Sequence, residues 1–386
     1  MENILIKNGE IYTKDKILYD CDLLITNSII SEVGKNININ NKSNIQIINA
    51  HGKKVLPGFI DIHTHGAIGY DTMDANYESL NNISMYLASH GITSFCATTM
   101  TEDIQHIIDA LTNINYTITK GTDGATILGA YLEGPFISEK QKGAQNVNYI
   151  IKPDVKLLEK FTNLSNNCLK VIAIAPEKDP NGYFINYCNK KNIKVSLGHT
   201  NASYEEMKNA VDYGASIAVH VYNAMKGFHH REPGALGEAL LDNRLYCELI
   251  CDFIHSHPAA VKMLIKMKGT EKIILISDAM LACGLSDGEY EFGGQKVIVD
   301  QSIARIQNGS LAGSTLSLDK AVANITTLGI PLSDAAKMAS FNPAKAINID
   351  DKKGSIDIGK DADIVILDND LSVNMTIVNG NIVYRK

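Results

Sequence analysis

Apolar residues in this chain come in short runs, and the spacing between runs changes twice along its length. Near the start, NILIKNGEIYT, CDLLITNSIISEVG and NIQIINA are β-type runs separated by turn residues. Asn27-Ser28 stands between two apolar runs and predicts a hairpin. The closing segment returns to this style. DADIVILD predicts a strand and MTIVNGNIVY a hairpin, with Asn379-Gly380 supplying the positive φ angles of a type I′ turn. Neither end can bury a face by itself, so residues 1–56 and 353–386 are expected to combine as one small β-sandwich.

Between them, residues 57–352 alternate strand and helix. Strand-like runs fall at Gly58–His63, Ser94–Thr99, Thr126–Glu133, Leu169–Ala175, Lys194–Gly198, Ser216–Val221, Leu245–Cys251 and Lys272–Ser277. Helical stretches intervene, among them Tyr77–Ser89, Asp103–Ile118, Val155–Leu164, Ser203–Tyr213 and Pro258–Lys268. In the second of these, Ile104, Ile107, Ile108, Leu111 and Ile114 share one helical face. Ser203 with Glu206 forms a capping-box signature. This alternation predicts the α/β class: a (β/α)8 TIM-like barrel with the β-sandwich attached. No glycine-rich dinucleotide fingerprint opens the first unit, which argues against a Rossmann sheet. After the eighth strand, GEYEFGGQKVIVD through ARIQNGSLAGS predicts a hairpin lying over the barrel mouth.

Composition narrows the field. The chain has 386 residues, more than one core usually serves, so a large domain with a small companion is the natural expectation. Its net charge of −7 gives no sign of a nucleic-acid partner, and an anionic substrate would need a locally positive site. MENILIKNGE lacks the basic and apolar regions of a leader, and no apolar run is long enough to span a bilayer. No membrane partner is therefore expected. Seven cysteines without CxxC spacing, Cys247 and Cys251 included, are expected to be reduced thiols of a cytoplasmic protein.

The chemistry lies at the strand ends. His63 and His65 in PGFIDIHTHG, Glu133 in AYLEGP, His199 in VSLGHT, His220 in IAVHVYNAM and Asp278 in ILISDAM each close an apolar run. Taken singly, these are a strand-closing pair, a solvated carboxylate, two satisfied histidines and a helix cap. Taken together, a barrel places them in one cavity at the C-terminal ends of its strands. His63 and His65, at i and i+2, project from one face of a strand. Histidines with carboxylates and no thiolate suit Zn2+, Fe2+ or a similar divalent ion. Such an ion acidifies bound water and polarises a carbonyl, while Asp278 is placed to carry the proton as general base and then acid. The implied reaction is hydrolysis of an amide or related C–N bond. His255, in CDFIHSHP, is placed to stabilise the oxyanion, unless it merely precedes the helix that Pro258 opens. In NAMKGFHHREPGALG, Arg231 offers a planar cationic fork, and Asn223 with the Ala224 N–H adds donors for a phosphate or carboxylate.

At these residues the sequence resembles the N-acetylglucosamine-6-phosphate deacetylases of the amidohydrolase superfamily. The matching stretches are PGFIDIHTHG, LEGPF, GAQN, GHTNAS, HVYNAMKGFHHREPGALG, DFIHSHP, SDAM and LAGS, with GSIDIGKDADIVILD near the end. The resemblance implies removal of acetate from a phosphorylated amino sugar. It implies that Glu133, His199 and His220 hold a principal ion, and that His63 and His65, with Glu133 bridging and Asp278 near, hold a second. One or two ions per subunit are thus expected. It gives Asp278 the proton transfers, His255 the acetyl carbonyl, and Asn223, Ala224 and Arg231 the phosphate. Gln145 stands where some relatives have a histidine touching the sugar, which leaves the hydroxyl contacts open. The resemblance also implies a homodimer, with Arg231 reaching its own or the neighbouring site. The rival readings are a cyclic-amide hydrolase, which generally bridges its ions with a carboxylated lysine where this chain offers Glu133, a nucleobase deaminase, and a non-catalytic barrel scaffold.

Overall fold

The computed structural model describes residues 3–39 and 45–386. Met1 and Glu2, at the head of the stretch read for a leader, and Asn44, which opens NIQIINA, lie outside the described residues.

Eight parallel strands build the barrel: β1 (Phe59–Thr64), β2 (Ile92–Thr99), β3 (Thr126–Leu132), β4 (Leu169–Ile174), β5 (Lys194–Leu197), β6 (Ile217–Ala218), β7 (Tyr246–Ile250) and β8 (Ile273–Ile276). Each pairs with the next in chain order. Every residue of β1 and β2 is buried, because one face packs on the barrel interior and the other on helices. The seam between β8 and β1 is closed by the Asp278 N–H donating to the His63 carbonyl at 2.9 Å. The Asp61 carboxylate adds to it, accepting from the Ser277 and His63 N–H groups at 3.4 and 3.2 Å. Burial pushes the Asp61 carboxyl up to about 6 despite these bonds.

Helices α1 (Tyr77–Ser89), α2 (Ile104–Lys120), α3 (Val155–Leu164), α4 (Tyr183–Lys190), α5 (Tyr204–Asp212), α6 (Gly234–Leu241), α7 (Pro258–Lys268) and α8 (Leu318–Thr327) follow the strands in order. Side-chain caps set several starts: Asn76 for α1, Asp103 for α2, Asp154 for α3, and the reciprocal Ser203–Glu206 box for α5. Ile107, Ile108, Leu111 and Ile114 of α2 are buried, as their shared face requires.

Both chain ends meet in one further sheet. Its order is Asn381–Arg385, Val373–Val378, Ile364–Leu367, Lys54–Pro57, Asn3–Tyr12, Ile17–Thr26 and Ile29–Gly34, with Ile45–Asn49 also paired to Asn3–Tyr12. The long strand Asn3–Tyr12 shifts register near Gly9, pairing with Ile45–Asn49 before it and Lys54–Pro57 after it. A Cβ on Gly9 would lie 2.7 Å from Val55, so the crossing needs glycine. The sheet thereby folds over a shared core in which Ile4, Ile6, Leu23 and Ile25 meet Ile364, Ile366, Met375 and Ile377, the small sandwich. The two hairpins expected from the sequence turn at Asn27-Ser28 and Asn379-Gly380, all four residues having positive φ.

Two sequence expectations change in detail. The sixth strand is only Ile217–Ala218, because the backbone turns out of the sheet at His220 (φ 22°) and Tyr222 (φ 82°). The insertion after β8 is a three-stranded antiparallel sheet, Gly288–Phe292, Gln295–Asp300 and Ile303–Ile306, in place of a hairpin. It does lie over the mouth: Phe292 packs edge-on against His65, and Gln295 bonds to the Ala144 carbonyl.

Candidate metal centre and its cavity

Each candidate ligand stands where a strand gives way to its loop. His63 and His65 come from the end of β1, Glu133 follows β3, His199 follows β5, His220 follows β6 and Asp278 follows β8. His199, His220 and Asp278 adopt positive φ (45°, 22° and 49°). Left-handed backbone at a residue with a Cβ costs about 1–2 kcal/mol, so three such positions in one site mark a place where tertiary packing overrides local preference. Gly198, just before His199, allows β5 to approach the next strand closely; a Cβ there would lie 2.4 Å from Val219.

The six side chains converge. His199 Nε2 and His220 Nε2 lie 3.1 and 3.3 Å from Glu133 Oε1 and 3.1 Å from each other. His63 Nε2 lies 3.4 Å from Glu133 Oε1 and 3.5 Å from Asp278 Oδ1. His65 Nε2 lies 3.4 Å from Glu133 Oε2 and 3.3 Å from Asp278 Oδ1. Glu133 therefore belongs to two possible ligand groups, one with His63 and His65, the other with His199 and His220.

This donor set fits divalent ions on two counts. A tetrahedral ion with ligands at 2.0–2.1 Å separates neighbouring donor atoms by about 3.3 Å, close to the spacings around Glu133 Oε1. The outer nitrogens are also committed. His199 Nδ1 faces the Gln141 carbonyl at 2.9 Å, and His220 Nδ1 faces the Asn223 carbonyl at 3.2 Å. Carbonyls accept only, so both Nδ1 atoms carry hydrogen and both Nε2 atoms turn lone pairs inward when the rings are neutral. His63 Nε2 is buried with no hydrogen-bond partner. An ion in each of the two groups satisfies these lone pairs.

Electrostatics agree. Burial works to raise the Glu133 carboxyl, yet the neighbouring His199 and His63 hold it well below the ordinary range. Asp278 is likewise lowered, with His63 and His65 outweighing burial. Burial lowers the affinity of His65 for a proton, but Asp278 and Glu133 overcome it and push the imidazole up to about 9. The pocket is thus tuned to hold positive charge among carboxylates.

A cavity of about 470 Å3 opens above these residues, lined also by Gln145, Asn223, Ala224 and His255. His255 Nδ1 pairs with Asp252 at 2.7 Å, which leaves Nε2 as its free ring nitrogen. Gln145 donates to Glu133 Oε2 at 2.6 Å and accepts from the Thr101 N–H at 2.8 Å, so it braces the carboxylate from the cavity wall. Arg231 is not brought in. It is exposed, bonded to His230 at 2.7 Å, and absent from the lining, whose cationic side chains are Lys140 and Lys142.

The sequence reading passed over Glu248, Asp252 and Gln141. Glu248, in β7, is fully buried and lies 3.0 Å from His63 Nδ1. An acidic residue inside the apolar run YCELI was the available signal. Gln141 acts through its carbonyl, which no side-chain pattern reveals.

The amidohydrolase family pattern matches residues 54–383. An N-acetylglucosamine-6-phosphate deacetylase of Bacillus subtilis (strain 168) is 40% identical over 387 aligned residues, spanning 99% of this chain and 98% of that protein. One from Lysinibacillus sphaericus is 39% identical over 98% of this chain and 97% of its own length. The crystal structure of N-acetylglucosamine-6-phosphate deacetylase from Pasteurella multocida superposes with a TM-score of 0.93 over the full length of both chains, at 30% identity. The chain belongs to the amidohydrolase family and, within it, to the N-acetylglucosamine-6-phosphate deacetylases.

Proposed function

We propose that this chain hydrolyses the acetamido group of N-acetylglucosamine 6-phosphate, releasing acetate and glucosamine 6-phosphate. The observation that carries the reading is the sharing of Glu133 between two histidine pairs, with Asp278 beside His63 and His65, at the floor of one cavity. Glu133, His199 and His220 are the residues suited to a principal divalent ion, Zn2+ or Fe2+, and His63 and His65 with Glu133 to a second. When bound, such an ion supplies Lewis acidity, lowering the pKa of water and polarising the carbonyl of the substrate.

The chain's own groups account for the proton traffic. Asp278, kept ionised by its neighbours, takes a proton as the water oxygen bonds to the acetyl carbon. His255, oriented by Asp252, donates from Nε2 to the acetyl oxygen as negative charge develops there, which it does in the form that carries hydrogen on both ring nitrogens. When the C–N bond breaks, Asp278 returns the proton to the departing amine. Asn223 and the Ala224 N–H line the same cavity and are suited to the phosphate end. Arg231 lies outside its own chain's cavity, so we assign it to the site of a second copy in a homodimer. Gln145 supports Glu133 first and any sugar hydroxyl second.

The deciding experiment measures acetate release from the phosphorylated and the free amino sugar by metal-loaded protein. Preference for the phosphorylated sugar is expected; no acetate from either would end the reading.

A further inference from the structure

Glu248 is a carboxylate in contact with a candidate ligand ring that the reaction above does not use. It lies in β7 on the inner side of the barrel, with 0% of its surface exposed. No lysine or arginine pairs with it; its ion-pair partner among the described residues is His63. Oε2 lies 3.0 Å from His63 Nδ1 and 3.4 Å from the backbone N–H of His220. The same oxygen thus touches a side chain from one ligand group and the main chain of a residue from the other. The strand register helps to hold it there, since the Glu248 carbonyl accepts from the Val221 N–H at 2.9 Å, next to His220.

Burying a carboxylate this way is expensive, the more so because Glu248 Oε1 is buried without a hydrogen-bond partner. Simple core filling would favour an apolar residue in its place. What the carboxylate does provide is direction. An acceptor at Nδ1 keeps hydrogen on that nitrogen and turns the lone pair of Nε2 towards Glu133 and Asp278. Tyr131, whose ring centroid is 4.5 Å from that of His63, presses on the imidazole and limits its rotation. His63 Nε2 is among the buried atoms left without a hydrogen-bond partner, and it faces the Glu133 and Asp278 carboxylates at 3.4 and 3.5 Å, so the orientation serves that side of the ring.

We propose that Glu248 is a positioning residue for the second metal position: it fixes the tautomer and aim of His63 and so sets how tightly the His63–His65–Glu133 group holds its ion. The inference rests on the reading of His63 as a ligand. His199 and His220 have carbonyl acceptors of their own at Nδ1, so the principal position does not depend on the Glu248 side chain in this way.

The test is a Zn2+ titration of metal-free protein, followed by calorimetry and by metal analysis after gel filtration, for wild type, Glu248→Gln and Glu248→Leu. Wild type is expected to take up two ions per subunit. Glu248→Gln keeps an acceptor but not its charge, and should weaken the second ion at least about 10-fold while the first stays unchanged; Glu248→Leu should approach about 100-fold. If the leucine variant does not fold, the glutamine variant decides alone. Two ions held by Glu248→Gln with wild-type affinities, or an equal loss of both, would overturn the role given to Glu248. A wild type that binds a single ion would instead remove the two-ion reading, and this inference with it.

Discussion

His199 and His220 come from different strands, yet their Nε2 atoms stand 3.1 Å apart with Glu133 Oε1 against both. Two neutral imidazoles that both turn Nε2 lone pairs inward repel at that distance, and a metal ion shared between them relieves the repulsion. Removing bound metal with a chelator should therefore abolish acetate release and lower the melting temperature. An ion at 1,000 times its dissociation constant stabilises the fold by about 4 kcal/mol. Differential scanning calorimetry with and without chelator measures this, and an unchanged transition in protein shown to have lost its metal would contradict it.

Asp278 approaches His63 and His65 at 3.5 and 3.3 Å but is absent from the Glu133–His199–His220 group. Asp278→Asn should keep the principal ion and lose about 10^2–10^4-fold in kcat, the range typical of a general acid–base. Metal content and turnover measured on the same sample separate the two effects. Near-normal turnover would exclude Asp278 as proton carrier.

The imidazole of His65 sets a pH dependence. Its affinity for a proton is raised from 6.5 to about 9 in the folded chain. A group that binds its proton more tightly when folded contributes stability in full below its unfolded value and loses it as pH rises through the folded one. Metal-free protein should therefore lose stability between about 6.5 and 9, whereas the loaded protein should not show this slope, because a ligating nitrogen cannot hold a proton. Asp61 works in a lower window: raised from 3.8 to about 6, it makes stability fall as pH climbs through that range. Metal uptake at pH 7 should release protons, seen as a dependence of the binding enthalpy on the buffer's ionisation enthalpy. Uptake without proton release would refute the assignment.

What the sequence made legible follows from locality. His63, His65, Glu133, His199, His220 and Asp278 each close an apolar run, and a barrel topology alone brings such positions together. The helices with strong caps, such as Val155–Leu164 and Pro258–Lys268, were readable to the residue. Relationships that depend on the pairing of distant backbones were not. Gln141 orients His199 through a carbonyl, and β6 is cut short at Ala218 by the turn that aims His220. Glu248 was hidden because an acidic residue in YCELI reads as a solvent-facing position, while a parallel barrel buries both faces of the strand. Gln145 was read as a sugar contact through resemblance; its bond to Glu133 needed coordinates.

Arg231 supplies the most discriminating prediction. Its guanidinium is exposed and pairs with His230, outside the cavity of its own chain. If it recognises phosphate across a homodimer interface, Arg231→Ala should raise KM for the phosphorylated sugar at least about 10-fold, since charge-assisted contacts contribute roughly 1.5–3 kcal/mol. The stronger test mixes two impaired parents and assays them at substrate well below KM, where the Arg231→Ala defect is fully expressed. In a dimer of one Arg231→Ala and one Asp278→Asn chain, the first chain's site keeps Asp278 and receives Arg231 from its neighbour, while the other site lacks both. Random reassembly makes half the dimers mixed, with one working site in each, so activity should recover to about a quarter of wild type in a two-fold symmetric dimer. No recovery above the parents, in a sample shown to contain mixed dimers, would place Arg231 in its own subunit's site and require the loop carrying it to fold inward over the cavity.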